Sequence, residues 1–473
     1  MKKLIKNGLV VTEKESKRAD LLISGEKIAA IEPGLVPDAG TKVMDAEGLL
    51  LLPGGVDVHV HLDLPMFGTV SSDDHYTGTK AAAFGGTTTV IDFISQDSDN
   101  LVENFQKLKQ KAAEKAAVDF GFHANLSHLT PEVEKQIPEL VKLGVTSVKV
   151  FTAYNNRLRL QDGEIFRVMR IAREAGILTM IHAENGDLIE MLTEEALKAG
   201  NTSPMWHAKT RPAWGAVEAV CRGVALSAVA DAPLYLVHMN AGGEVDQLEY
   251  ARSKGLKVMG ETCPQYLLFN DDKLTGKDAA KWVCSPPLRK PEDQKRLWQG
   301  LKSGIIQTIA TDHCPFFYKG NEPILYEGVG VAIPGKELGM GDFTKIPNGL
   351  PGVGDRLPVL YTEMVRSGKF SVNEFVRLNC SNPAKIFGLY PQKGTLAVGS
   401  DADIVLWDPE KNIKYGTAYS QQRTDYNLYE GRILSGYPTV VFSRGNLIIR
   451  DGEWFGKPGQ GQYLPRQKFK VQV

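Results

Sequence analysis

The chain has 473 residues, of which 42% are hydrophobic and 23% charged, a composition that excludes a disordered, collagenous or coiled-coil chain. Lysine and arginine number 55 against 56 acidic residues, giving a net charge of -1, so no basic surplus predicts nucleic acid or an anionic membrane as a partner. No uninterrupted apolar run reaches the ~18 residues that span a bilayer. The five cysteines are widely spaced and form no CxxC pair, which predicts a reducing, cytoplasmic location.

Both ends of the chain are predicted to be rich in β-strands. Short apolar runs bounded by glycine, proline and aspartate fill residues 1–53 and again residues 391–457, and neither end has enough strands to bury a sheet alone. We therefore expect the two ends to form one smaller antiparallel β-sandwich domain. Residues 458–473 are polar and basic and are predicted to be a mobile end or an arm on a neighbouring subunit.

Residues 54–390 alternate strand-like runs with helical stretches. Eight short apolar runs occur there: Val56–Leu62, Thr88–Phe93, Val118–His123, Ser147–Phe151, Leu178–Glu184, Leu234–Met239, Lys257–Thr262 and Ile306–Asp312. Helical patterns separate them, at Leu101–Ala117, Glu164–Ala175, Ala213–Val229 and Glu292–Lys302. This alternation predicts an α/β fold, a (β/α)8 TIM barrel, as the larger domain.

The first predicted barrel strand carries two histidines, His59 and His61. Because residues two apart on a strand share a face, both are expected to point into the barrel, while Val56, Val58, Val60 and Leu62 face the helices. Two buried imidazoles each need a partner, and one metal ion satisfies both. A motif this short is equally compatible with two structural histidines.

Three further polar residues end later predicted strands: His182 the fifth, His238 the sixth and Asp312 the eighth. Catalytic groups of this fold lie at the carboxyl ends of its strands. Each residue alone is compatible with a core or rim position, but four imidazoles and one carboxylate at one barrel mouth predict a metal site. Nitrogen and oxygen ligands without thiolate suit Zn2+, and Mn, Co or Fe(II) are also compatible.

Lys149 lies inward on the fourth predicted strand by the same alternation. An ammonium group has no acceptor and repels a cation. Either this lysine extends out of the barrel end, or it has reacted with CO2 to form a carbamate, an anion able to bridge two metal ions. The residues themselves leave both interpretations open.

Eight motifs in this order resemble those of the dihydropyrimidinase/hydantoinase family of cyclic amidohydrolases: HVH, VKVFTAY, MIHAEN, LVHMN, ETCPQYL, CSPPLR, ATDHCPF and IPNGLPGV. The resemblance implies opening of a 5,6-dihydropyrimidine or hydantoin ring to an N-carbamoyl amino acid by a hydroxide shared between two divalent metal ions. It implies six metal ligands: His59, His61 and Asp312 on one ion, His182 and His238 on the other, and carboxylated Lys149 (N6-carboxylysine) bridging both.

The resemblance also implies roles beyond metal binding. Asp312 would act as general base and then general acid, and the hydroxyl of Tyr154 would stabilise the developing oxyanion. Main-chain groups at Ser285 and Asn348 would orient the small cyclic substrate. The family resemblance further implies a homotetramer or homodimer.

A substrate gate and an insertion are predicted near the pocket. Met66 and Phe67 follow the first strand and Leu158 the fourth. By position and by likeness to substrate-selecting loops of the family, these apolar side chains are predicted to line the pocket that receives the ring substituent. Residues 321–334 depart from the family pattern as an apolar insertion, which is expected to pack on the pocket mouth or on another subunit.

Two alternatives stay open at this point. An allantoinase-like or dihydroorotase-like enzyme would share the metal site, although dihydroorotase-like proteins place an arginine shortly after the HxH pair, where this chain has Leu62–Phe67. A non-catalytic, dihydropyrimidinase-related scaffold protein would have lost metal ligands, whereas all six positions are retained here. The other histidines are predicted to be structural or superficial: His75, His123, His128, His207 and His313.

Overall fold

The computed structural model describes residues 2–66, 69–320, 323–326, 329–332 and 335–470. Its strands in chain order are β1 Lys2–Val11, β2 Ser16–Ser24, β3 Lys27–Glu32, β4 Lys42–Asp45, β5 Leu50–Pro53, β6 Gly55–Asp57, β7 Pro65–Met66, β8 Thr69–Val70, β9 Thr87–Ile94, β10 Asp119–Asn125, β11 Ser147–Phe151, β12 Leu178–His182, β13 Leu234–Leu236, β14 Val258–Thr262, β15 Thr308–Ile309, β16 Pro323–Tyr326, β17 Val329–Ala332, β18 Ile404–Lys414, β19 Ile433–Ser443, β20 Asn446–Arg450 and β21 Glu453–Trp454.

The helices are α1 His75–Phe84, α2 Leu101–Lys115, α3 Pro131–Gln136, α4 Asp162–Ala175, α5 Gly186–Lys198, α6 Met205–Lys209, α7 Ala213–Ala230, α8 Gly242–Ser253, α9 Pro264–Leu268, α10 Pro291–Ser303, α11 Arg356–Leu360, α12 Val372–Val376 and α13 Asn382–Ile386. Helix α2 shows why these segments are helical. Asn100 caps it by accepting a hydrogen bond from the Glu103 N–H at 3.0 Å, and Leu101, Phe105 and Ala112 recur on its buried face.

The predicted barrel is confirmed. Eight parallel strands form one sheet in the order β15-β14-β13-β12-β11-β10-β9-β6. The two edge strands meet through a parallel bridge between Val60 and His313, where the His61 N–H donates to the His313 carbonyl at 2.7 Å. The carboxyl ends of all eight strands therefore lie at one mouth.

The first barrel segment departs from the predicted alternation. Val56 and Val58 belong to the same buried cluster as Phe93 and Met180, whereas Val60 packs with the helices. The expectation that Val56 and Val58 face the helices is therefore wrong. The strand ends at Asp57, and the alternation restarts beyond that break, which leaves His59 and His61 directed as predicted.

The two chain ends share one sheet, as expected. Strands β21-β20-β19-β18-β5-β1-β2-β3 are ordered side by side, and β4 also pairs with β1. Because β1 runs parallel to β4 and β5, this smaller domain is built on a mixed sheet, and the expected purely antiparallel pairing is wrong. The boundaries at residues 53 and 390 stay predictions, which the positions of β5, β6 and α13 support.

The tail is docked on the barrel of its own chain, so the predicted mobile end is corrected for residues 458–470. Leu464 N–H donates to Phe120 O at 2.8 Å, and Arg466 N–H donates to Gly144 O at 2.9 Å. Gly144 has φ +78°, and a Cβ there would lie 2.4 Å from Cα of Pro465, so glycine permits this close approach. Arg466 also donates to Oγ of Ser147 at 2.8 Å, and Ser147 is the first residue of β11, the strand that carries Lys149.

Helix α7 is long and apolar enough to cross a membrane by length and composition, with a mean hydropathy of 1.3. Half of its residues are buried inside the structure, among them Val220, Gly223 and Val224. Gly223 lies over the barrel: a Cβ there would be 3.1 Å from the Ile181 side chain. The apolar character of α7 is thus accounted for by packing on β12.

Candidate functional site

A cavity of about 340 Å3 opens at the barrel mouth. Ten of the twelve residues singled out from the sequence line it; His59 lies buried beneath, and Phe67 falls outside the described residues. The lining consists of His61, Leu64, Pro65, Met66, Ser95, Gln96, Asp97, Asn125, Ser127, Lys149, Phe151, Tyr154, Arg157, Leu158, His182, His238, Ser285, Asp312, Cys314 and Asn348.

His59, His61 and Asp312 form a cluster where the barrel closes. Both histidines follow β6 and Asp312 follows β15. Oδ1 of Asp312 lies 3.1 Å from Nε2 of His59 and 3.2 Å from Nε2 of His61. One ligand atom from each residue lies within 4.8 Å of the others. Two imidazoles and a carboxylate at this spacing fit a divalent metal ion.

The backbone is strained at two of the predicted ligands. Asp312 has φ +52° and His238 has φ +39°, in the left-handed region that residues other than glycine rarely adopt. Each such conformation costs ~1–3 kcal/mol and persists where the surrounding structure fixes it, often at functional sites. Both residues lie just beyond the end of a barrel strand, where a strained turn directs the side chain to the mouth.

His182 and His238 provide a second pair of nitrogen donors. Nδ1 of His182 lies 2.9 Å from Nε2 of His238. Burial holds the pKa of His238 well below its ordinary value, and the nearby His182 and Lys149 lower it further. A neutral imidazole keeps the lone pair that a metal ion requires. Two such nitrogens facing each other therefore fit a second cation.

Lys149 lies among these donors, as the alternation predicted. Its Nζ is 2.9 Å from Nε2 of His59 and 4.4 Å from the ring centroid of Phe93. Burial lowers the pKa of Lys149 to about 8. The amine is thus more readily neutral than an exposed lysine.

Asp312 is ionised in this setting. Burial alone would raise its pKa, but the imidazoles of His59 and His61 outweigh that effect and, with Lys149, hold the pKa at about 2. An ionised carboxylate at the cavity wall can bind a cation and accept a proton.

Glu261 was not singled out from the sequence. Its carboxyl group contacts one histidine of each predicted ligand set, His59 of the first and His238 of the second. The His59 Nδ1–H donates to Oε1 of Glu261, which also accepts from the His238 main-chain N–H at 3.1 Å. The Tyr235 hydroxyl donates to Oε2 at 2.9 Å. Burial raises the pKa of Glu261, whereas the Tyr235 hydroxyl, the His238 N–H and the nearby Lys149 oppose that rise and favour the carboxylate. A carboxylate behind a ligating histidine fixes its tautomer, with Nε2 facing the site. Strand alternation applied to β14 would have placed Glu261 inward.

Glu184 lies behind His182 in the same way that Glu261 lies behind His59. Oε2 of Glu184 lies 3.0 Å from Nε2 of His182, which leaves Nδ1 of His182 facing His238. Burial would raise the pKa of Glu184, but His182 and Arg211 outweigh it and lower the pKa to about 2. This carboxylate lies within the motif quoted around His182, but its contact with the ring could be seen only in three dimensions.

The three predicted substrate residues meet at the cavity. Tyr154 has its ring centroid 5.1 Å from that of His182, and burial raises the pKa of its hydroxyl, which therefore stays protonated as a donor. Ser285 and Asn348 lie together on two other loops of the cavity: Nδ2 of Asn348 donates to Oγ of Ser285 at 3.2 Å.

The described gate residues border the same cavity. Met66 and Leu158 line it, together with Leu64 and Pro65. The predicted partner Phe67 lies outside the described residues, as do the side chains of the insertion 321–334. The backbone of that insertion contains the antiparallel strands β16 and β17.

The side chains of the five other histidines have partners other than the four predicted histidine ligands. His75 pairs with Asp63 and Asp92, and His313 with Asp73 at 3.1 Å. His123 contacts Val58 O at 2.9 Å, His207 contacts Cys284 O at 2.8 Å, and His128 contacts Asp99 at 2.6 Å. These contacts support structural roles. Cys314 is buried, and burial raises its pKa, which disfavours a nucleophilic thiolate.

The chain is similar over its full length to known proteins. Residues 50–448 match the model of the Amidohydrolase family. The chain is 44% identical over 473 residues to a D-hydantoinase of Geobacillus stearothermophilus, covering 99% of this chain and 97% of that protein. It is 42% identical over 470 residues to a D-hydantoinase of Streptomyces coelicolor, covering 98% and 97%. The crystal structure of a dihydropyrimidinase from Brevibacillus agri matches with a TM-score of 0.95 at 45% identity, covering 100% of each chain.

Proposed function

Because the chain belongs to the amidohydrolase family, we propose that it is a hydrolase that opens the ring amide of hydantoins or 5,6-dihydropyrimidines, giving N-carbamoyl amino acids. One observation carries the proposal: the six predicted ligand side chains converge at one barrel mouth. The full-length similarity to D-hydantoinases and a dihydropyrimidinase supports the substrate class.

The donor set supports a centre of two divalent metal ions. His59, His61 and Asp312 would hold one ion and His182 and His238 the other, and carboxylated Lys149 would supply oxygen ligands to both. Nitrogen and oxygen donors favour Zn2+, with Mn, Co or Fe(II) also compatible. When bound, such ions act as Lewis acids on a carbonyl oxygen and make water nucleophilic near neutral pH.

Modification of Lys149 would resolve the conflict between an ammonium and two cations. The ammonium first loses one proton; the neutral amine then adds to CO2, forming an N–C bond and releasing a second proton, so that a cation becomes an anion with two donor oxygens. The position of Nζ, 2.9 Å from Nε2 of His59, supports this role. Burial, which lowers the pKa of Lys149 to about 8, favours the reactive neutral form.

The remaining chemistry is assigned to side chains at the cavity. A carboxylate oxygen of Asp312 would take the proton released as water attacks the ring carbonyl, and would return it to the leaving ring nitrogen. The Tyr154 hydroxyl would donate to the developing oxyanion, a contribution of ~2.7–4 kcal/mol for comparable donors. Main-chain groups at Ser285 and Asn348 would hold the amide edge of the ring.

The assembly and location are also proposed. A homotetramer or homodimer is expected by resemblance to the family, and its test is the mass of the purified protein in solution. A cytoplasmic location is supported by the unpaired state of the five cysteines, four of them buried.

The proposed cyclic amide substrates are small and uncharged, which suits the apolar wall of Leu64, Met66 and Leu158.

The test is a turnover panel run with metal analysis on the same preparation. It contains dihydrouracil, dihydrothymine, hydantoin, both enantiomers of 5-substituted hydantoins, allantoin and dihydroorotate. We expect hydrolysis of the hydantoins or dihydropyrimidines, about two metal ions per chain, and loss of activity to chelators. Turnover of allantoin or dihydroorotate alone would contradict the substrate class and leave the site intact. Absence of both turnover and stoichiometric metal would favour the scaffold alternative.

A further inference from the structure

Lys336 is a buried lysine to which the proposed chemistry gives no role. Its exposed fraction is 0%. The ionisable side chains near it include the thiols of Cys284 and Cys314 and the imidazole of His207, and among the described residues its Nζ forms no ion pair with a carboxylate. Burying an ammonium without a counter-charge is costly, and burial lowers the pKa of Lys336 to about 7. A residue held at such a cost requires an explanation.

Three main-chain carbonyls surround the amine. Nζ of Lys336 donates to Gly349 O at 2.6 Å, to Val283 O at 2.9 Å and to Lys281 O at 3.3 Å. An ammonium has three donors, so this arrangement satisfies all of them. The lysine thus acts on the backbone of two separate segments.

Those two segments carry the proposed substrate contacts. Val283 lies two residues before Ser285, and Gly349 directly follows Asn348. The Gly349 N–H also donates to Val283 O at 3.2 Å. Lys336 therefore lies behind the cavity wall and joins its two halves.

The backbone of Lys336 is itself fixed to a third segment. Its N–H donates to Phe317 O at 3.0 Å, five residues beyond Asp312. The preceding Gly335 allows this contact, because a Cβ there would lie 2.3 Å from Tyr318 O. Lys336 therefore links the cavity wall, through its side chain, to the segment that follows Asp312, through its main chain.

We propose that Lys336 is a positioning residue, which fixes the main chain at Ser285 and Asn348 so that both segments meet a planar cyclic amide in one geometry. This inference rests on the proposed function for the nature of the ligand. Misplacement of a binding group by about 1 Å can cost 10²-fold in rate, so a residue without substrate contact can control affinity.

The test is Lys336→Met, which keeps the length of the side chain and removes its donors. We expect KM for dihydrouracil or hydantoin to rise about tenfold or more while kcat changes less than threefold, because the wall binds ground state and transition state alike. Metal content should equal that of the wild type. Lys336→Gln retains two N–H donors and should show a smaller rise in KM. If Lys336→Met does not fold, Lys336→Gln is used for the same comparison with the wild type.

Leu21→Ala, in the buried core of β2, is the control for lost stability far from the cavity. It should lower the melting temperature with KM unchanged. Wild-type KM in folded Lys336→Met or Lys336→Gln enzyme, whether or not kcat falls, would overturn the proposal.

Hydrogen exchange separates this inference from the proposed function. If the wild type hydrolyses none of the cyclic amides, the proposed function is contradicted, but the positioning role can still be tested. The exchange rate of the Gly349 amide measures the rigidity of the cavity wall without any turnover. That amide should exchange at least about tenfold faster in Lys336→Met than in the wild type, while the amides of β11 keep their rates. Equal exchange at Gly349 would refute the positioning role.

Discussion

Glu261 holds His59 from behind: Nδ1–H of the imidazole donates to the carboxylate, while Nε2 faces Asp312 at 3.1 Å. This pairing fixes the tautomer in which Nε2 offers its lone pair. Glu261→Gln should weaken metal binding by about 10- to 100-fold, as is usual for such supporting groups. Metal analysis after dialysis against a graded chelator measures it. Glu244→Gln, another buried glutamate, which caps α8, is the control and should keep its metal.

The carbamate proposed on Lys149 can be tested by chemical rescue. Lys149→Ala should lose metal and activity, because it lacks the bridge. Acetate or propionate should enter the vacated space, supply two oxygens and restore part of both. Lys149→Arg should not respond, since it keeps a permanent cation and fills the space. An unmodified amine in a high-resolution structure of the active, metal-loaded enzyme would disprove the carbamate.

The apolar wall is expected to select among ring substituents. Met66→Ala or Leu158→Ala should change the ranking of bulky against small 5-substituents by ~1–3 kcal/mol in kcat/KM, because each removes contact area in the cavity. The comparison uses a series of 5-alkyl and 5-aryl hydantoins. Met191→Ala, on the exposed side of α5, should leave the ranking as it is. An equal loss on every substrate would assign these residues to folding instead.

His75 should make stability fall as the pH rises. Burial lowers its pKa, but Asp63 and Asp92 outweigh burial and raise the pKa from 6.5 to about 9. The charged form is thus stabilised in the folded state, fully below pH 6.5, and the benefit is lost as the pH passes 9. The contribution is on the order of 3 kcal/mol.

The measurement is the free energy of unfolding between pH 6 and about pH 10. His75→Gln should flatten the decline seen in the wild type. His128→Gln removes a half-exposed histidine from its pair with Asp99 and should keep the decline. A wild-type profile in His75→Gln would contradict the assignment.

Features of local origin were predictable from the sequence. Alternation along β11 placed Lys149 inward because the strand is regular over its five residues, and the order of strands followed from the order of apolar runs. The break after Asp57 was not predictable. Oδ2 of Asp57 accepts a hydrogen bond from Oγ1 of Thr311 at 2.7 Å and lies 3.8 Å from Nε of Arg356, and both partners are more than 250 residues away in the sequence. Glu261 was missed for the same reason: its role appears only beside His59.

The shared sheet and the docked tail also bear on how the protein is made. Strand β5 pairs with β1 but gains its second neighbour only when β18 has been synthesised, and the side of the barrel opposite the mouth is covered only when Leu464 and Arg466 follow. Contacts of such long sequence separation form slowly. The outer edge of β5 therefore stays unpaired during synthesis, and is prone to aggregation, until β18 has been made. The yield of folded protein consequently depends on residues 404–470 being intact.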